Sequence, residues 1–121
     1  MNIFVMIVPI AFLIAISQVL IKWRSQAVIP HDMASDFFEK FSIYLSDGYI
    51  VLAYVMAFLG SFIWLLVIPR IPLSIGFPLY IGITFLLVML GSCIFLNESL
   101  SLVKFFSASL ILSGIVLGGL N

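Results

Sequence analysis

Four stretches of this chain are so long and so apolar that water is the wrong solvent for them. They cover residues 3–21, 49–68, 73–96 and 102–120. Each holds about 19 residues or more, and at about 1.5 Å per residue such a helix crosses a hydrocarbon core about 30 Å thick. In lipid the backbone must satisfy its own hydrogen bonds, so these stretches are expected to be helices. None alternates in the way of a barrel strand. The whole chain agrees: 64% of its residues are hydrophobic and 8% charged, where soluble domains average about 45–50% and about 25%. The fold class expected is all-α membrane protein. Four transmembrane helices form one domain over residues 1–121, with a short amphipathic interfacial helix in the first loop. The first stretch is not read as a cleaved leader. No basic residue precedes it, and it outruns a leader's apolar core.

The connections say how the helices are joined. Between the second and third lies only "PRIP", whose two prolines end one helix and start the next. Between the third and fourth lies "NESLS", with Ser101 placed to cap the fourth. Links this tight predict that the last three helices are antiparallel neighbours. The first loop is long and holds most of the charge. Within it, residues 36–46 set Phe37, Phe38, Phe41, Tyr44 and Leu45 on one helical stripe, and Asp36 with Glu39 makes a capping-box-like start. That helix either lies on the membrane surface or covers the end of the bundle. Lys22, Arg24, Lys40 and Lys104 fall on one side and Arg70 on the other. The positive-inside rule then puts the first and third loops in the cytoplasm and both termini outside.

The interiors of the first three helices contain no Asp, Glu, His, Lys or Arg. Ionisable residues inside a membrane usually mark proton or ion pathways, so coupling through a buried carboxylate is not expected. Glu98 sits at the end of the third helix, where it can pair with Lys104. Gln18 carries an amide that needs a partner, either on another helix or on a ligand. Pro78, flanked by Gly76 and Gly82, suggests a bend or gate in the third helix. Ser109 and Ser113, and Gly114 and Gly118, lie four apart and suit close helix packing or dimerisation. The zero net charge suggests no nucleic-acid partner. No nucleophile–base pair, phosphate loop or metal-ligand cluster appears. Cys93 reads as a small core residue and His31 as an exposed loop histidine. No enzyme activity, metal or cofactor is expected.

Taken together, "LSIGFPLYIG" and "FLNESLSLVKFFSASLILSGIVLGG" resemble the four-helix members of the drug/metabolite transporter superfamily. The resemblance covers Ser17 to Lys22 and then nearly everything from Ser61 to Leu120. In the small multidrug resistance branch the first helix carries a coupling glutamate; the matching position here is Ile14, and that branch's tryptophan falls on Tyr80. The small flippase subunits for undecaprenyl phosphate-linked aminoarabinose are more similar. Their "GQ…K" pattern is matched by "SQVLIK", their "AYP"-like turn by "GFP", and their third-loop glutamate by Glu98.

The resemblance implies a flippase or flippase subunit of the bacterial inner membrane, working as a homo- or heterodimer on a polyprenyl-phosphate-linked sugar or similar anionic lipid. Lys22 and Arg24 would then draw the phosphate at the membrane surface, although orienting and snorkelling roles fit them equally. Gln18, Tyr80 and Thr84 would offer hydrogen bonds to the sugar. The competing readings are a small multidrug or metabolite exporter and an accessory membrane subunit that transports nothing.

Overall fold

The computed structural model describes residues 3–28 and 36–119. The expectation for His31 therefore lies outside the described residues. Five α-helices follow one another: α1 (Ile3–Val28), α2 (Phe37–Ser46), α3 (Gly48–Val67), α4 (Leu73–Phe95) and α5 (Leu102–Gly119). A 3₁₀ turn at Ile68–Arg70 joins α3 to α4. There is no strand among the described residues, and α1, α3, α4 and α5 are each long and apolar enough to cross a membrane.

Local chemistry accounts for most of the boundaries. The Asp36 carboxylate accepts from the Glu39 N–H at 2.8 Å and opens α2. At its other end the Asp47 N–H donates to the Tyr44 carbonyl, while the Asp47 carboxylate accepts from the Ile50 N–H at 3.1 Å and opens α3. One residue thus ends one helix and begins the next. Ser101 caps α5 by accepting from the Lys104 N–H at 3.2 Å. The Lys104 ammonium donates to the Ser99 carbonyl rather than pairing with Glu98. The first helix departs from expectation. It runs to Val28 instead of stopping at 21, which adds about 10 Å at 1.5 Å per residue. The added "KWRSQAV" is rich in good helix formers, and Pro30 follows shortly.

The packing order also differs from expectation. The short "PRIP" link does not make α3 and α4 neighbours along their length, because α1 packs against both of them. The α3–α4 approach is near the link, where the Trp64 and Tyr80 rings meet. α5 packs on α4, as its short connection predicts. Lipid gives helices no hydrophobic reason to associate, so contact depends on close fit at small residues. At Gly60 a Cβ would come within 2.9 Å of the Ile14 Cδ1. At Gly91 it would come within 2.9 Å of the Val19 Cγ2. On α1 itself Ile7, Ile10, Ala11, Ala15 and Ser17 are buried. The Ser17 hydroxyl donates back to the Ile14 carbonyl at 2.6 Å.

α5 is held lightly. Only Ala108 on it is buried. Its contact with α4 centres on Gly82, where a Cβ would lie 2.7 Å from the Ile115 Cδ1 and 3.6 Å from the Leu112 Cδ2. Ser109, Ser113, Gly114 and Gly118 are all exposed. Ser109 donates to the Phe105 carbonyl, and a Cβ at Gly114 or Gly118 would meet nothing within 4 Å.

Gly82→Leu is expected to push α5 off α4 and lower stability by about 1–3 kcal/mol, the range for overpacking. Thermal unfolding of the monomer in detergent reads this as a lower midpoint. Gly118→Leu, made in open space, should leave the midpoint in place; equal midpoints for the two variants would refute the contact.

Candidate functional site

The polar chemistry of the described residues concentrates where α1 leaves the apolar layer. The extra turns of α1 bring Arg24 level with the start of α3. Its Nη2 donates to the Asp47 Oδ1 at 2.8 Å, and its Nε lies 3.1 Å from both carboxylate oxygens. The guanidinium also lies over two rings, 4.9 Å from the Tyr49 centroid and 5.4 Å from that of Trp23. Those two rings meet edge to face at 5.7 Å. Side-chain exposure is 27% for Arg24 and 10% for Asp47, so the pair is largely shielded from solvent. Asp47 is held below the ordinary carboxylate value, first by the hydrogen bonds from Arg24 and further by the Ile50 N–H, with burial opposing.

This pairing separates two cations that look alike in the sequence. Arg24 is occupied. Lys22, two residues earlier, is exposed and has no ion-pair partner among the described residues. One turn below it Gln18 is also exposed, with no hydrogen-bond partner for its amide among the described residues. Tyr80 sits elsewhere, half-buried in α4 and packed against Trp64 at 4.9 Å and Phe77 at 6.2 Å. One turn along α4, the Thr84 Oγ1 is buried and makes no hydrogen bond. An orphaned buried hydroxyl costs about 1–3 kcal/mol, so Thr84 holds an unused donor inside the bundle. The structure therefore places Gln18 and Lys22 together on α1, Tyr80 and Thr84 together on α4, and Arg24 in a clasp with Asp47. Gly76 lies buried beneath Ile71 and Trp64, and Gly82 against α5; α4 passes through Pro78 without a break.

Two cavities flank the Gln18–Lys22 stripe. The larger, about 530 Å³, is an open groove between α1 and α4. It runs from Phe12 to Trp23 on one side and from Leu87 to Leu96 on the other, with Ala15 and Gly91 as its smallest lining residues. Its lining is wholly aliphatic and aromatic. The second, about 420 Å³, lies between α1, α2 and α3. Ser25, Tyr44 and Tyr54 line it, beside Phe41 and Ile50. At about 100° of turn per residue, Gln18 and Lys22 fall on the arc of α1 between Ser25 and Val19, and so between the two cavities. Sequence reasoning did not find Asp47 or the groove. Asp47 had a signal, an Asp directly before an apolar helix. The groove had almost none beyond the small residues Ala15 and Gly91.

No family model and no solved structure matches the chain. Over 62 residues the chain is 36% identical to a probable 4-amino-4-deoxy-L-arabinose-phosphoundecaprenol flippase subunit of Aeromonas salmonicida (strain A449). That match takes in 50% of this chain and 54% of the relative, so the chain spans about half the length of the curated protein it matches.

Because Asp47 is stabilised as the carboxylate, its contribution is present above its ordinary value of 3.8 and is lost as pH falls through the lower folded value. Acid should therefore open the clasp only below pH 3.8. In a Trp64→Phe variant, Trp23 emission should show this as one transition in an acid titration. Asp47→Asn should abolish the transition, and a midpoint above 3.8 would contradict the clasp.

Proposed function

We propose that this chain is a subunit of an inner-membrane flippase for an anionic lipid, a polyprenyl-phosphate-linked sugar or a close chemical relative. The observation that carries the reading is the 36% identity over 62 residues to a protein described as a flippase subunit for such a lipid. The electrostatics agree with it. The described membrane-crossing helices offer one exposed, unclaimed cation near the end of α1, and Arg24 is already neutralised. A phosphate at the membrane surface suits Lys22 as a charge-assisted acceptor, and the Gln18 amide one turn deeper suits sugar hydroxyls. Thr84, and Tyr80 one turn from it, would meet the headgroup further along its path, with Gly76, Pro78 and Gly82 as the place where α4 yields. A proton-coupled cation exporter fits less well. The position where a coupling carboxylate is needed is Ile14, which is packed against Gly60.

Four helices are too few to enclose a path for such a ligand, so the working unit is a homo- or heterodimer. The exposed Ser109, Ser113, Gly114 and Gly118 face of α5 is the surface offered to the second subunit. The loop carrying α2 and the α4–α5 connection would face the cytoplasm, with both termini outside.

The test is lipid movement in proteoliposomes holding the chain with any partner that co-purifies. A fluorescent polyprenyl-phosphate sugar is scored by its loss of accessibility to an external quencher. Lys22→Ala is expected to slow movement about tenfold, the worth of one charge-assisted hydrogen bond. Gln18→Leu should slow it several-fold, with membrane insertion unchanged in both. Unaltered rates in both variants would remove these residues from the path. Proton-dependent efflux of a fluorescent cation, with no lipid movement, would overturn the reading itself.

A further inference from the structure

We propose that the groove between α1 and α4 seats one hydrocarbon chain of the lipid phosphate, a prenyl chain if the flippase reading on which this rests is right, with Lys22 receiving the phosphate at its mouth. Length is the first argument. From Phe12 to Trp23 the groove rises about 16 Å along α1, and from Leu87 to Leu96 about 14 Å along α4. Half a hydrocarbon core is about 15 Å. The groove therefore spans one leaflet, from the middle of α1 to the level where Trp23 and Tyr49 meet beside the Arg24–Asp47 pair.

The groove holds about 530 Å³ along that length, room for a single branched hydrocarbon chain. Its lining fits the same occupant, since no charged, hydroxyl or amide side chain faces it, and its small residues Ala15 and Gly91 lie among large ones such as Phe12, Leu90 and Phe95. Charge completes the match. Lys22 stands three residues beyond Val19, which lines the groove, and one before Trp23, which ends it. Arg24 cannot compete for the anion while Asp47 holds it.

The experiment reads occupancy without transport. The full chain in phosphatidylcholine nanodiscs is irradiated with farnesyl monophosphate carrying a diazirine at its far end, and the labelled residues are mapped. Adducts are expected on Phe12, Ile16 and Leu87, displaced by unlabelled farnesyl monophosphate. Ile16→Trp with Leu90→Trp, two exposed groove positions, should cut labelling at least tenfold. Should the double variant fail to fold, Ile94→Trp, also exposed, fills the same groove. Lys22→Ala should raise the half-saturating concentration about tenfold, and the diazirine analogue of farnesol should label with that same weakness on the unaltered chain. Adducts scattered over α3 and α5, labelling indifferent to the filled groove, or equal labelling by a diazirine phosphatidylcholine would each overturn the proposal. A chain that binds here yet moves no lipid would sink the flippase reading alone; one that moves lipid with the groove unlabelled would sink this inference alone.

Discussion

A helix in lipid gains nothing by hiding its leucines, because the acyl chains around it are as apolar as any partner. What holds such helices together is fit, and fit depends on where side chains are missing. In this protein both requirements converge on α1. It meets α3 where Gly60 admits Ile14 and meets α4 where Gly91 admits Val19. Everything else is arranged around that double contact. α3 and α4 are joined by a very short link, yet α1 packs along both, and α5 hangs from the far side of α4. The Arg24–Asp47 pair then ties the end of α1 to the start of α3, beyond the apolar stretches of both.

The same arrangement creates the candidate site. Where α1 and α4 run alongside each other without closing, their larger side chains stand apart and leave the groove. Where α2 lies near α1 and α3, the second cavity forms, lined by Ser25, Tyr44 and Tyr54. Lys22 and Gln18 lie on the strip of α1 between them. An anion arriving there finds one open cation, because the nearby one is bonded to a carboxylate at 2.8 Å. Few polar groups stand there beside much hydrocarbon.

Much of the fold was legible from residues alone, and the reasons are physical. Length and apolarity oblige the four long helices. Asp36 with Glu39, and Ser101 before Leu102, mark the starts of α2 and α5 because a cap is a local bond. The end of α1 was not legible: "KWRSQAV" is polar enough to read as loop, and it is helical because its residues are good helix formers. Nor was the position of α1 between α3 and α4, since packing in lipid depends on which glycines face which neighbours. The groove was hidden for a related reason, as residues such as Ile16 and Leu90 look like any others that face the bilayer. Lys22 and Arg24 were indistinguishable until Asp47, more than twenty positions away, was seen to choose one of them.

Asp47 has one more consequence. It closes α2 and opens α3 with no residue to spare, so the elbow between the short helix and the long one has almost no slack. A roll of α3 about its own axis must sweep α2 sideways, and drag on the aromatic face of α2 must be felt as torque in the bundle. The short helix and the long one are in that sense geared together through a single aspartate.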